Sequence, residues 1–196
     1  MLVTACFAFV GCNDNSGDRT LPDVGEMIAD GQTNYKVIVP SNASATQEYA
    51  AQQICNYFAQ VTGVAMSYVA DSGESYDSNS TIISLGKTSA YNTAVKNHKN
   101  VDVSRKTLND DGFVMFTDGK SLFIDSYNDR GIMYGAFEFI EQNLGVKFLT
   151  YDYTYVPTAT QVVLKGYDKT CVSPFRQRVY LNTPIWYQDT DYVAHL

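Results

Sequence analysis

The chain has 196 residues, of which 45% are hydrophobic and 18% are charged, a composition typical of one globular domain or slightly more. Its formal net charge is −7 and no basic stripe that could neutralise phosphates is visible, so nucleic-acid binding is not expected. The P-loop, GxGxxG and HExxH motifs are absent, so no cofactor and no metal are predicted.

The first twelve residues, MLVTACFAFVGC, form an apolar run that ends at Cys12, and polar residues follow at once. The run is too short to span a bilayer, which takes about 20 residues, but it suits a signal peptide. Its last four residues resemble the lipobox of bacterial lipoproteins, although no Lys or Arg precedes them. The resemblance implies a signal segment over residues 1–12, a lipid on Cys12, and a lipid-anchored location in the bacterial cell envelope, outside the cytoplasm. The alternative is an ordinary cysteine in a small N-terminal segment.

Residues 13–33 are polar and rich in turn formers, so they are interpreted as a flexible tether. The next stretch, YKVIVP at 35–40, is predicted to be a strand that ends at proline. Ser44 and Gln47 then have the spacing of a capping box, and an apolar stripe at helical spacing continues to Gly63. In this helix Cys55 is expected to be a buried thiol rather than half of a disulfide with Cys171.

Four further strands and a short helix are predicted between residues 65 and 128. AMSYVAD (65–71) and STIISLG (80–86) are interpreted as strands, and TSAYNTAVKN (88–97) as the short helix. DGFVMFTDGKSLFIDSYN (111–128) is predicted to be a hairpin because Asp-Gly at its centre is a strong turn signal.

A second long helix is predicted from residue 129 to Gly145, followed by the strands VKFLTYD (146–152) and TQVVLKG (160–166). The order βαββ(α)ββαββ favours an α+β fold, a mixed sheet in two layers with two main helices packed on it. We assign residues 34–166 to this domain and residues 167–196 to a connector and one further strand, FRQRVYL.

Several short motifs stand together in this order: YKVIVP before a Ser-capped helix that ends in TG, then IISLG, DGFVMF, RGIMYGAFEFIEQNLGVKF, VP and SPFRQR. The series resembles the N-terminal domain of family 67 α-glucuronidases and related glycoside hydrolases. The architecture is similar to the non-catalytic domain of family 20 β-hexosaminidases. The resemblance implies an α/β domain that precedes a (β/α)₈ barrel, which takes about 250 residues and carries the chemistry. FRQRVYL would be the first strand of a truncated barrel, and carbohydrate would be bound through the missing part.

Two glutamates on the second long helix, Glu138 and Glu141, have a spacing that could suggest an acid/base pair. They lie largely outside an apolar arc, with Ile132 and Phe139 at its edges, that contains Met133, Ala136, Phe137, Ile140 and Leu144. A solvated helix face or a structural salt bridge is therefore the favoured interpretation.

Asp129 is interpreted as the N-cap of this helix, and Arg130 as a partner in a buried ion pair or as a contact at a domain interface. Asp110 and Asp111 could suggest a metal pair, but the alternating ligands of a calcium loop are missing. No catalytic residue is therefore assigned.

Three C-terminal residues are candidate substrate-binding residues: Arg176, Arg178 and Trp186. If they lay on a first barrel strand and its loop, arginine could bind the carboxylate of a uronate and the aromatic ring could stack on the sugar. The alternative is that they pack in the barrel core or at a domain interface.

The sequence thus predicts a non-catalytic accessory domain of a secreted, lipid-anchored glycoside hydrolase that acts in polysaccharide breakdown. The alternative is a stand-alone surface lipoprotein that binds glycan or a protein partner.

Overall fold

The computed structural model describes residues 21–73, 75–98 and 101–172. Its strands are β1 (Leu21–Glu26), β2 (Lys36–Val39), β3 (Ser67–Ala70), β4 (Ile82–Leu85), β5 (Phe113–Asp118), β6 (Ser121–Asp125), β7 (Lys147–Phe148), β8 (Thr154–Tyr155), β9 (Val163–Gly166) and β10 (Asp168–Cys171). Its helices are α1 (Ala45–Thr62), α2 (Ser89–Ala94), α3 (Arg105–Leu108) and α4 (Asp129–Leu144), and a 3₁₀ turn follows α2 at Val95–Asn97.

A six-stranded mixed sheet forms the centre of the domain, with the strand order β10-β5-β6-β4-β2-β3. Strands β3, β2, β4 and β6 are parallel to one another, whereas β5 pairs antiparallel with β6 and β10 pairs antiparallel with β5. The predicted hairpin is confirmed as β5–β6, with Gly119 at a positive φ of 53° in its turn. The predicted α+β fold with a mixed sheet is thus confirmed.

Local sequence signals explain where the two long helices begin and end. In α1, the Ser44 side chain accepts a hydrogen bond from the Gln47 N–H, and the Gln47 side chain accepts one from the Ser44 N–H. Helix α4 is capped by Asn128, whose side chain accepts from the Gly131 N–H. The N-cap prediction for Asp129 is therefore wrong by one residue. Both helices end at a glycine in the left-handed conformation.

The two long helices pack against each other and against one face of the sheet. Strand β2 alternates, so that Val37 and Val39 face these helices while Ile38 faces the opposite side. On that opposite side the short helix α2 covers Ile38, Ile82, Phe116 and Phe123. Consecutive parallel strands are therefore followed by helices on different faces of the sheet, which determines where a crevice opens.

Two glycines of α4 bring the helix close to the sheet. A Cβ added at Gly131 would lie 2.0 Å from the Ser126 Oγ, and one added at Gly135 would lie 2.5 Å from the Ile124 Cγ2. The buried face of α4 consequently runs through Ile132, Ala136, Phe139, Ile140 and Leu144, with both glycines. Ile132 and Phe139 are fully in the core, whereas Met133 and Phe137 are only partly buried, so the predicted arc was rotated by about one position.

The N-terminal part of the predicted tether is outside the described residues, but residues 21–26 form β1. This strand pairs antiparallel with β9, and the Met27 N–H donates to the Val162 carbonyl at 2.8 Å. The tether interpretation of residues 21–33 is therefore wrong, because a short polar strand is held by pairing with a distant part of the chain. Likewise β10 lies within the predicted connector 167–196, while the predicted barrel strand FRQRVYL lies outside the described residues.

The described helices include none that is both long and apolar enough to cross a membrane.

Candidate functional site

A crevice opens where the parallel strands β2, β4 and β6 end. After β2 the chain enters α1 on one face of the sheet, whereas after β4 it enters α2 on the other face. Where neighbouring parallel strands are followed by connections on opposite faces, the loops separate, and ligands of open α/β sheets bind in the resulting gap. This topology makes the crevice the candidate functional site.

The crevice has a volume of about 340 Å³, at the small end of the range for ligand pockets. Its walls come from the β2–α1 loop, from the residue after Gly86, and from the end of β6 with the first turn of α4. The residues that line it are Pro40, Asn42, Ser44, Gln47, Lys87, Asp125, Ser126, Tyr127, Asn128, Asp129 and Ile132.

Asp125, the last residue of β6, is the most unusual group in this crevice because only 1% of its surface is exposed. Its Oδ1 accepts a hydrogen bond of 2.8 Å from the Ser126 N–H, but its buried Oδ2 has no hydrogen-bond partner. Burial raises the pKa of this carboxyl above its ordinary value, against the opposing effects of the Ser126 N–H, the Tyr91 hydroxyl and the Lys87 charge. Burial, followed by the charge of Asp125, also raises the pKa of Tyr91.

Several other polar groups around the crevice are already used to hold the fold together. Ser44 and Gln47 cap α1, and Asn128 caps α4 while its Nδ2 donates to the Asp110 carbonyl at 2.8 Å. The Ser126 hydroxyl donates to the Gly112 carbonyl at 2.5 Å. The groups that remain exposed at the rim are the side chains of Asn42, Lys87 and Tyr127. The crevice thus combines a fixed frame with one buried acceptor and an exposed cation.

Among the described residues, no group of three or more His, Cys, Asp or Glu side chains could hold a metal ion. Asp110 instead forms a two-point ion pair with Arg105, with Nε–Oδ1 at 2.8 Å and Nη2–Oδ2 at 3.0 Å. Asp111 pairs with Arg130 at 2.5 Å. Arg130 thus forms an ion pair, but the prediction that this pair is buried is wrong on the arginine side, because more than half of the Arg130 side chain is exposed.

Glu138 and Glu141 do not form an acid/base pair across a cleft. Glu138 Oε1 lies 2.8 Å from Lys169 Nζ, which joins α4 to β10, and Glu141 is exposed on the same helix. The pKa of Glu141 is raised by partial desolvation of its own carboxyl and then by the negative charge of Glu138. A hydrogen bond from the Phe148 backbone acts in the opposite direction. The interpretation of Glu138 as a partner in a structural salt bridge is confirmed.

The cysteine predictions divide between described and undescribed residues. Cys55 is a free, buried thiol of α1, as expected, so it does not pair with Cys171. Cys12, Arg176, Arg178 and Trp186 lie outside the described residues, so the interpretations of these four stay predictions.

Sequence reasoning missed Asp125 and Lys87. Asp125 ends the buried strand β6 after the residues SLFI, and Lys87 follows the glycine that ends IISLG. A polar residue directly after a buried parallel strand was therefore the available signal. It could not be used because it requires knowing which strands are neighbours.

Comparison with protein families gives a match to the family described as "Glycosyl hydrolase family 67 N-terminus" over residues 26–139, more than half of the chain. Comparison with curated proteins gave no match. One similar solved structure is a GH138 enzyme targeting pectin rhamnogalacturonan II, with 20% identity and a TM-score of 0.39 over 55% of this chain and 13% of that one. Another is a family GH115 4-O-methyl-α-glucuronidase with specificity for decorated arabinogalactans, with 16% identity and a TM-score of 0.39 over 56% of this chain and 14% of that one.

The chain therefore spans about one-seventh of the length of these two structures. The family match begins at the end of β1 and continues into α4. The chain belongs to the family of N-terminal domains of glycosyl hydrolase family 67.

Proposed function

We propose that this chain is a non-catalytic accessory domain of a secreted, lipid-anchored glycoside hydrolase that acts in polysaccharide breakdown. The observation that carries the proposal is the family match over residues 26–139, since that family is defined by the N-terminal part of a glycosyl hydrolase. In the whole protein a (β/α)₈ barrel would follow this domain and would supply the catalytic carboxylates.

The ion pairs of the described residues support a non-catalytic role. Glycoside hydrolysis usually requires two carboxyl groups on either side of a sugar. Among the acidic residues considered from the sequence, Asp110, Asp111 and Glu138 are each paired with a basic side chain. Of the two carboxyl groups in the crevice, that of Asp125 is almost completely buried.

An exposed aromatic surface on the β7–β8 hairpin supports contact with a neighbouring domain. Leu149, Tyr151, Tyr153 and Tyr155 are all exposed, and Tyr151 is 81% exposed. Tyr155 belongs to β8 and Tyr153 directly precedes that strand. Tyrosine is enriched where proteins make contacts, because its ring is apolar and its hydroxyl tolerates water. We propose that this hairpin contacts the barrel.

The function is tested by assaying the purified 196-residue chain on aryl-glycosides and glucuronoxylan oligomers. We expect no hydrolysis, because the chemistry would belong to the barrel. Asp125→Asn serves as the control variant, since it removes the most unusual carboxyl of the crevice. Turnover that survives purification and is lost in Asp125→Asn would contradict the proposal and make the crevice a catalytic site.

The lipid anchor is a separate part of the proposal and rests on the lipobox-like residues 9–12. In bacterial cells fed labelled palmitate, we expect the wild-type chain to carry the label and Cys12→Ala to lose it. Cys55→Ala is the matched control, because it removes a free thiol that is buried in the core. An unlabelled wild type, or label that persists in Cys12→Ala, would refute the anchor and leave the accessory role untouched.

Arg176, Arg178 and Trp186 remain our candidates for binding a carboxylated sugar, through a two-point arginine–carboxylate contact and ring stacking. The second candidate function is a stand-alone surface lipoprotein that binds glycan or a protein partner. The exposed tyrosine hairpin favours it as well, because such a surface could be covered by a separate molecule.

A further inference from the structure

We propose that the crevice at the ends of β2, β4 and β6 is itself a carbohydrate-binding site, which takes one neutral pyranose unit with Asp125 as the acceptor for a sugar hydroxyl. This inference concerns the domain alone. Its test therefore does not depend on whether a barrel follows.

The unpartnered oxygen of Asp125 is the first observation. Nearly all buried polar atoms in folded proteins have a hydrogen-bond partner, because burying one without a partner destabilises the fold. Asp125 Oδ2 forms no hydrogen bond of normal distance and angle, although only 1% of the residue is exposed. Asp125 lines the crevice at the point where strand topology leaves a gap. The Tyr91 hydroxyl of α2 is near enough to act on the carboxyl, and a ligand that donates a hydrogen bond would complete what this hydroxyl leaves unsatisfied.

The charges around the crevice select the kind of ligand. Asp125 and Asp129 contribute two carboxyl groups and Lys87 one ammonium group, so an additional anion is disfavoured. The N-termini of α1 and α4 are each capped by their own side chains, so they do not offer an open anion site. A metal ion is disfavoured as well, because Lys87 would repel it and the described residues contain no cluster of metal ligands.

A neutral sugar matches the remaining donors and acceptors. Each hydroxyl of a pyranose both donates and accepts, so neighbouring hydroxyls can donate to Asp125 while they accept from the Lys87 ammonium group. At the rim, Tyr127 is half-exposed and the Arg105 guanidinium lies 5.9 Å from the centre of its ring. The half-exposed Tyr127 ring, which lines the crevice, provides a surface for the apolar face of the sugar ring.

Access to Asp125 requires movement of a wall of the crevice. The carboxylate is buried, whereas the neighbouring Lys87 of the crevice wall is exposed. The capping box of α1 and the cap of α4 keep the rest of the frame in place.

The proposal is tested by titrating the 196-residue chain with methyl α-glucopyranoside and following amide chemical shifts by NMR. We expect saturable shifts at Gly86, Lys87 and residues 125–128, with a dissociation constant on the order of 1 mM. Asp125→Asn should weaken binding about tenfold, because the charged acceptor of the hydrogen bond is replaced by a neutral amide. Tyr127→Ala provides a second variant at an exposed position and should also weaken binding. Asp23→Asn, the same change at an exposed carboxylate of β1, should leave it unchanged.

Three results would overturn the proposal. The first is the absence of saturable shifts in the wild type with the neutral sugar. The second is equal affinity in the wild type, Asp125→Asn and Tyr127→Ala. The third is saturable binding of methyl α-glucuronide without binding of the neutral sugar, which would make the crevice an anion site. Each of these results would leave the accessory role of the domain as it stands.

Discussion

Asp125 shows at the scale of a single residue how a fold can contain a group that does not stabilise it. The carboxyl lies at the end of a buried strand, and only one of its two oxygens has a hydrogen-bond partner. Cys55, by contrast, is a buried group that stays uncharged. Burial raises the pKa of its thiol to about 11, which keeps it protonated and unreactive. The position of Cys55 was predictable from its helical stripe alone, because burial within a helix is a local pattern.

Replacement of Asp125 by Asn is expected to stabilise the protein at neutral pH, because it removes a desolvated negative charge and keeps an oxygen that can accept from the Ser126 N–H. Because burial raises the pKa of Asp125, the folded state binds its proton more tightly than the unfolded chain, where Asp has a pKa of about 3.9. The wild type should therefore lose stability as the pH rises from this value through the folded-state pKa. Asp125→Asn should lack this loss.

Denaturant unfolding of the wild type and Asp125→Asn across this pH range measures the effect. Asp23→Asn is the control, because that carboxylate is exposed and the substitution should leave the pH dependence of the wild type intact. An Asp125→Asn variant that is less stable than the wild type at neutral pH would show that the carboxylate stabilises the fold.

At the scale of the element, α4 is held to the sheet by apolar packing and glycine contacts, while its charged residues contribute little to the stability of the fold. Phe139 and Ile140 have no exposed surface, and the glycines Gly131 and Gly135 let the helix approach the sheet. The helix itself was predictable from its period. Its rotation was not, because glycine carries no hydrophobic side chain and the pattern therefore undercounts the face on which the glycines lie.

Two substitutions on adjacent residues of α4 should separate these contributions. Phe139→Ala is expected to cost about 3–5 kcal/mol of unfolding free energy, the usual loss when a buried aromatic side chain is truncated. Glu138→Gln removes the partly exposed ion pair to Lys169 and should cost less than about 1 kcal/mol. Equilibrium unfolding in urea measures both. A larger loss from Glu138→Gln than from Phe139→Ala would mean that the ion pair, and not the core, holds α4 in place.

At the scale of the whole molecule, the parts of the fold that depend on local pattern were predictable and the parts that depend on distant pairing were not. The β5–β6 hairpin follows from its Asp-Gly turn, whereas β1 and β10 are short, largely polar strands that exist because they pair with β9 and β5. The crevice belongs to the second group, since it arises from the order β6-β4-β2 in the sheet. The motifs that identify the family are local, which explains why the family could be recognised while the crevice could not.

The central claim, that this domain serves a glycoside hydrolase whose chemistry lies in a following barrel, is tested most directly by the reading frame downstream of the codon for Leu196. The account predicts a frame that continues for about 250 residues, with repeated strand and helix patterns and with Asp or Glu at the ends of predicted strands. A stop codon directly after Leu196 in the native gene would contradict it and favour a stand-alone surface protein.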